Sequence, residues 1–169
     1  MKAAGVILAI VVALALQTTL ARYVIRGTVA IDLVLVVVVY TALMSGPVPG
    51  LLAGTAAGLA QDALSSGVIG IGGLAKTVVG FLAGVIGTQF IVAQPFPRFV
   101  VFFAATLLHA VIFIGLYVML DVRQFGTPYA AVTGQALGNA VVGVVAFQLV
   151  ELLPGAVERR RTQKARIRR

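Results

Sequence analysis

The chain has 169 residues, 60% of them hydrophobic, with no tryptophan, no cysteine and a mean hydropathy of +1.08. A soluble domain of this length has no core large enough to hide so much apolar surface, whereas lipid solvates it directly, so the polytopic membrane class remains. Disulfides and thiolate metal sites are excluded, and the net charge of +8 is no nucleic-acid footprint: seven of the thirteen basic residues crowd into the last eleven positions, without an aromatic residue to stack a base.

Six spans are expected in chain order. The first covers residues 3–21. Lys2 and the Ala13-Leu14-Ala15 triplet imitate a cleavable signal, but the apolar run is long enough to cross a bilayer core of roughly 30 Å. Gln17, Thr18 and Thr19 near its end either line a cavity or simply mark a helix end. The second span, 32–45, is short and rich in β-branched residues, Val34 and Val36 to Val39, which argue for a strand in water but for a helix in lipid. Gly46-Pro47-Val48-Pro49 then breaks the chain in a tight turn, with Pro49 suited to the first turn of a third span over 50–64.

Ser65-Ser66-Gly67 separates that span from a fourth over 70–92, and Gln94-Pro95-Phe96-Pro97-Arg98 punctuates before a fifth over 99–120. A polar loop, 121–128, leads to the sixth, 129–153, which Pro154-Gly155 should end. The division is thus a six-helix transmembrane domain over 1–155 and a basic cytoplasmic tail over 156–169. An even number of spans puts both termini on one side. With that side cytoplasmic, Lys2, Arg98 and the tail cations lie inside, against Arg22, Arg26 and Arg123 outside, as the positive-inside rule asks. Arg159, Arg160, Arg161, Lys164, Arg166, Arg168 and Arg169 are expected to touch anionic lipid, each contributing about 1 kcal/mol.

The third and fourth spans carry the most informative pattern: Gly50, Gly54, Gly58 and then Asp62 on one, Gly72, Lys76, Gly80 and Gly84 on the other, each row at four-residue intervals. Such spacing lays small residues along one helix ridge and lets a second backbone approach closely. Asp62 and Lys76 stand equally far from a turn near Ile69, so an antiparallel hairpin brings them to similar depth and predicts an ion pair. A charge at mid-bilayer costs roughly 2.5–3.5 kcal/mol, which makes such a pair a functional candidate. Two readings stay open: the rows and the pair merely fix the hairpin, or they line a groove that receives a partner. On the second, Gly54→Leu and Gly80→Leu abolish partner co-purification and leave insertion intact.

Elsewhere the chemistry is sparse. His109 has no convergent ligands and reads as a hydrogen-bonded core histidine. Gln135 and Asn139 share a helix face at i, i+4 and should hydrogen-bond between helices, at about 0.6 kcal/mol per bond. No close acid pair, His/Asp/Ser grouping or phosphate-cradling loop is present, so no enzyme, cofactor or metal is expected.

The run from Gly50 through Gly54-Thr55-Ala56-Ala57-Gly58-Leu59-Ala60-Gln61-Asp62 to Ser65-Ser66-Gly67, continuing by Gly70 to Leu74-Ala75-Lys76-Thr77-Val78-Val79-Gly80, resembles the central signature of the MreD family of bacterial rod shape-determining membrane proteins. Leu16-Gln17-Thr18-Thr19-Leu20 and Asp32-Leu33 support the match, which covers most of the chain apart from its tail. The resemblance implies an all-α polytopic fold of six transmembrane helices, like the substrate-binding subunits of energy-coupling-factor transporters, with a cleft among the helices. It also implies a non-enzymatic scaffold of the cell-elongation complex in the bacterial cytoplasmic membrane. That scaffold would bind MreC and work beside RodA, a class B penicillin-binding transpeptidase and, indirectly, the MreB filament in lateral peptidoglycan synthesis. It transfers no catalytic residue. The rival class is a vitamin-binding transporter subunit, which needs convergent aromatic and polar groups near its outer loops; Tyr23, Asp121, Arg123, Gln124 and Tyr129 are the candidates there.

Overall fold

The computed structural model describes residues 3–23, 31–65, 67–90, 92, 94–122 and 129–167, with side chains described except at 20–23 and 153–167. They form six helices: α1 Ala3–Tyr23, α2 Leu33–Ser45, α3 Pro47–Leu64, α4 Ile71–Gln89, α5 Pro95–Met119 and α6 Tyr129–Ile167. Three are long and apolar enough to cross a membrane: α4, α5 and the Tyr129–Leu152 part of α6. The sequence-based boundaries hold within a few residues except at three places. α5 begins at Pro95, so most of the expected break over residues 94–98 is helical. α3 begins at Pro47, and α6 continues through Pro154 and Gly155 instead of ending there.

Local chemistry explains the ends. Asp32 caps α2, its Oδ1 accepting from Leu35 N at 2.9 Å. Gly46 alone joins α2 to α3; its φ of 95° lies in the left-handed region that a side chain disfavours, and Pro47 takes the first position of α3, where no N–H is needed. This one-residue joint is tighter than the four-residue break in the sequence suggested. Gly70, at φ 106°, opens α4. Pro95, after Gln94, opens α5.

Packing divides into two apolar clusters. One gathers Leu35, Val39, Val79, Phe102 and Phe147 from α2, α4, α5 and α6; the other joins Ile10 and Ala13 of α1 to Val34, Val38, Ala53 and Ala57 of α2 and α3. Both run along α2, so this β-branched, largely apolar segment is the central rod of the bundle. Val34, Val36, Val38 and Val39 are almost completely buried. Outward faces remain apolar, with Ile7, Leu8, Val11, Val111 and Leu152 exposed, as lipid-facing surfaces require.

Candidate functional site

α3 and α4 pack antiparallel, glycine row against glycine row. A Cβ added to Gly50 falls on the Gly80 carbonyl, one on Gly54 on the Lys76 carbonyl, and one on Gly58 lies 2.5 Å from Gly73 Cα. One on Gly84 falls on Pro47. The two backbones therefore touch, and nothing larger than hydrogen fits between them. Across the seam the hydroxyls of Thr55 and Thr77 share a hydrogen bond of 2.8 Å. The rows are buried by each other and leave no open groove along their length.

At the end of the seam carrying the α3–α4 turn, the helices part around buried polar groups. Lys76 Nζ pairs with Asp32 Oδ2 at 2.9 Å and lies 3.2 Å from His109 Nε2. An ammonium only donates, so Nε2 accepts and the imidazole keeps its proton on Nδ1. The backbone N–H of Asp32 donates to Asn139 Oδ1 at 2.9 Å; Asn139 Nδ2 donates to Thr106 Oγ1 at 3.2 Å, which donates to the Phe102 carbonyl. Gln17 Oε1 accepts from Leu33 N at 2.7 Å. The start of α2 is thereby tied to α1, α4 and α6, and its buried charge is paired and hydrogen-bonded, as burial demands.

Asp62 does something else. Its Oδ2 accepts from the backbone N–H groups of Gly70 and Gly73, at 2.9 and 3.0 Å, and so caps α4 from a neighbouring helix. These N–H groups are among those a helix start leaves without an intrahelical partner, and the dipole there favours a negative charge. A Cβ on Gly72 would fall on Asp62 Oδ1. The glycine at 72 thus makes room for a carboxylate, whereas those at 50, 54 and 80 make room for backbone.

Between these groups and α5 lies a hollow of about 380 Å³. One wall carries Asp32, Asp62, Gly72 and Lys76; the other is a ladder on α5 of His109, Phe113 and Tyr117, and Gln17 and Gln135 also line it. The ladder rings are in contact, with centroids 5.7 Å apart for His109 and Phe113 and 4.8 Å for Phe113 and Tyr117. The Tyr117 hydroxyl accepts from Val68 N at 3.2 Å, which seats the α3–α4 turn on α5.

The family model for the rod shape-determining protein MreD matches residues 2–154. The chain belongs to the MreD family. No curated protein and no solved structure matches it. MreD proteins are shape-determining membrane proteins, and the apolar helices agree with that setting.

On this MreD-family framework the sequence-predicted residues divide. The expected Asp62–Lys76 ion pair does not form: similar depth put both near the turn, but helix rotation aims Lys76 at α2 and α5 and Asp62 at the α4 backbone. Gly50, Gly54, Gly58, Gly80 and Gly84 belong to the closed seam, while Asp62, Gly72 and Lys76 line the hollow. His109 is a hydrogen-bonded interior histidine, Asn139 bonds between helices, and Gln17 reaches the hollow. Thr18 and Thr19 instead bond back to carbonyls of α1.

Asp32 was missed as an ion-pair partner. Its signal was the position directly before an apolar run, where an N-cap carboxylate keeps one oxygen for the cap and one for another use. Tyr129 is exposed, and Asp121, just beyond the cap of α5, does not line the hollow. Tyr23, Arg22, Arg26, Arg123, Gln124 and the basic run Arg159 to Arg169 lie outside the described side chains. Among the described residues no group of His, Asp or Glu converges as a metal site.

Proposed function

We propose that the chain is a non-enzymatic scaffold subunit of the cell-elongation complex. In this reading it is multi-pass in the cytoplasmic membrane, with both termini cytoplasmic and its basic tail on anionic lipid. It binds MreC and through it works beside RodA, the class B transpeptidase and the MreB filament in lateral wall synthesis. The family match over residues 2–154 carries the reading. The structure supports it in a second way. Most of its polar interior is spent on holding helices together, as in the Asp32 to Asn139 and Asp62 to Gly73 bonds, which suits a part whose work is to present a shape. Since the glycine rows close on each other, the partner contact is proposed at the hollow, where Asp62, Gly72 and Lys76 remain on the wall, with the glycine seam fixing its rim.

The test is recovery of MreC with the tagged full chain from bacterial membranes, followed by photocrosslinking from Ser65 and Ile114 beside the hollow. MreC should co-purify and crosslink at both positions. A folded chain that recovers no MreC sinks the scaffold reading; recovery without crosslinks moves the contact elsewhere. The second reading, a vitamin-binding transporter subunit, has the aromatic and polar lining of the hollow in its favour. Saturable vitamin binding by a chain that recovers no MreC would install it.

A further inference from the structure

The hollow has an uneven charge balance. Lys76 is engaged on two sides, by the Asp32 carboxylate and by the accepting His109 nitrogen, so it has little left for an incoming anion. Asp62 is 7% exposed, and only its Oδ2 takes the two backbone N–H groups; Oδ1 has no hydrogen bond among the described residues. The adjacent Gln61 lines the same wall, and its Oε1 is buried with no hydrogen-bond partner. With His109 neutral, two carboxylates face one ammonium. A buried acceptor left unpaired costs about 1–3 kcal/mol, so Gln61 Oε1 asks for a donor, and Asp62 Oδ1 on the same lining offers a second acceptor beside it.

The opposite wall answers in kind. Phe113 and Tyr117 line the hollow, and aromatic ring faces are electron-rich and attract cations. Free acceptors on one side and aromatic rings on the other complement a positively charged donor with an apolar body. An anion would instead meet the unpaired oxygens of Asp62 and Gln61. We propose that the hollow binds the primary ammonium group of a small organic amine, with Asp62 Oδ1 and Gln61 Oε1 accepting from it and Phe113 and Tyr117 covering its body. The volume of about 380 Å³ falls at the small end of ligand sites, which suits a short alkyl or single-ring amine. The same ammonium chemistry is carried by a free amine or by an aminolipid headgroup.

The experiment uses the full chain in phosphatidylcholine nanodiscs and equilibrium dialysis with labelled tyramine, beside its anionic counterpart hydroxyphenylpropionate and its neutral counterpart ethylphenol. Tyramine should bind saturably and the other two should not. Asp62→Asn keeps the shape and removes the charge, and should weaken binding roughly tenfold or more. Gln61→Leu should weaken it severalfold, and it decides the matter if Asp62→Asn fails to fold. Asp121→Asn, away from the hollow, should change nothing. Phosphatidylethanolamine added to the discs should compete if the natural source is the lipid headgroup, and have no effect if it is a free amine; either outcome fits the proposal. It is overturned if tyramine does not bind in phosphatidylcholine discs, if hydroxyphenylpropionate binds as well as tyramine, or if the folded Asp62 and Gln61 variants both bind it unchanged. MreC recovery is read separately, so the scaffold reading and this one fail independently.

Discussion

Two helix pairs in this bundle solve the same packing problem in opposite ways. α3 and α4 discard side chains and bring backbone against backbone along Gly50, Gly54, Gly58 and Gly80. α5 and α6 keep large rings and set one of them on a glycine: Phe102 lies over Gly143 and meets Phe147 edge-on at 6.2 Å, while Tyr40 of α2 tilts against Phe147 at 4.5 Å. In lipid no hydrophobic drive favours either pair, so close contact itself must hold them. A backbone seam is rigid, because neither side can move aside. A ring over one glycine can shift by a few tenths of an ångström.

The largest effect should therefore come from the seam. Even Gly54→Ala places a methyl on the Lys76 carbonyl and against Thr77 N, so the whole hairpin must open. Overpacking usually costs about 1–3 kcal/mol, and contact with backbone puts this case at or above the top of that range. Gly54→Leu should yield no folded chain. Thermal unfolding in detergent, with size-exclusion profiles, measures both. On this geometry Gly54→Leu, expected from the sequence to abolish partner recovery with insertion intact, should disturb the hairpin itself as well. A stable, monodisperse Gly54→Leu protein would show that the two helices are not in contact.

Next comes the polar end of the seam. Lys76→Met strands Asp32 in the interior, and losing one member of a buried pair costs about 3–5 kcal/mol. Asn at position 32 still caps α2, so Asp32→Asn together with Lys76→Met should recover most of the loss. A double-mutant cycle on thermal stability reads the coupling. Costs that simply add would mean the two charges do not meet.

These two regions also show what a single sequence discloses. Helix number and most boundaries were legible because apolar runs, prolines and glycines act locally. The glycine rows announced a close contact, since four-residue spacing fixes one ridge, but not that each row's partner was the other. The charges were harder. Depth follows from counting residues to the turn; azimuth depends on how each helix is rotated, and that is set by packing with helices distant in sequence. Lys76 therefore found Asp32, forty-four positions away, instead of Asp62. The hollow was invisible for the same reason, because Phe113, Gln61 and Gln135 converge only once five helices are in place. The start of α3 at Pro47 turned on one glycine, Gly46, taking a backbone conformation that its neighbours cannot.

The ring-over-glycine pair should yield more gently. Gly143→Ala brings a Cβ to 2.6 Å from three atoms of the Phe102 ring, which must tilt toward Phe147. The cost should stay within the usual overpacking range of about 1–3 kcal/mol, below that of Gly54→Ala. Phe102→Leu in the same chain should cost less than the two changes summed, since the smaller side chain makes the room the methyl needs. An equal or larger loss for Gly143→Ala than for Gly54→Ala would erase the distinction between rigid and yielding seams.

The smallest effect is expected at the far end of the same pair, where Arg98 forks onto Glu151. The guanidinium is buried, donates its Nε to the Val92 carbonyl at 3.1 Å and lies 4.3 Å from the Phe147 ring centroid. The Glu151 side chain is 56% exposed, so solvent screens its charge. Glu151→Gln should barely move the melting temperature, because the Val92 carbonyl and the ring still hold the cation. Arg98→Met should lower it clearly, since it removes the bond to Val92 and the stacking on Phe147 at once. If Glu151→Gln destabilised the protein as much as Arg98→Met, the ion pair rather than the ring would be what fastens this end of α5 to α6.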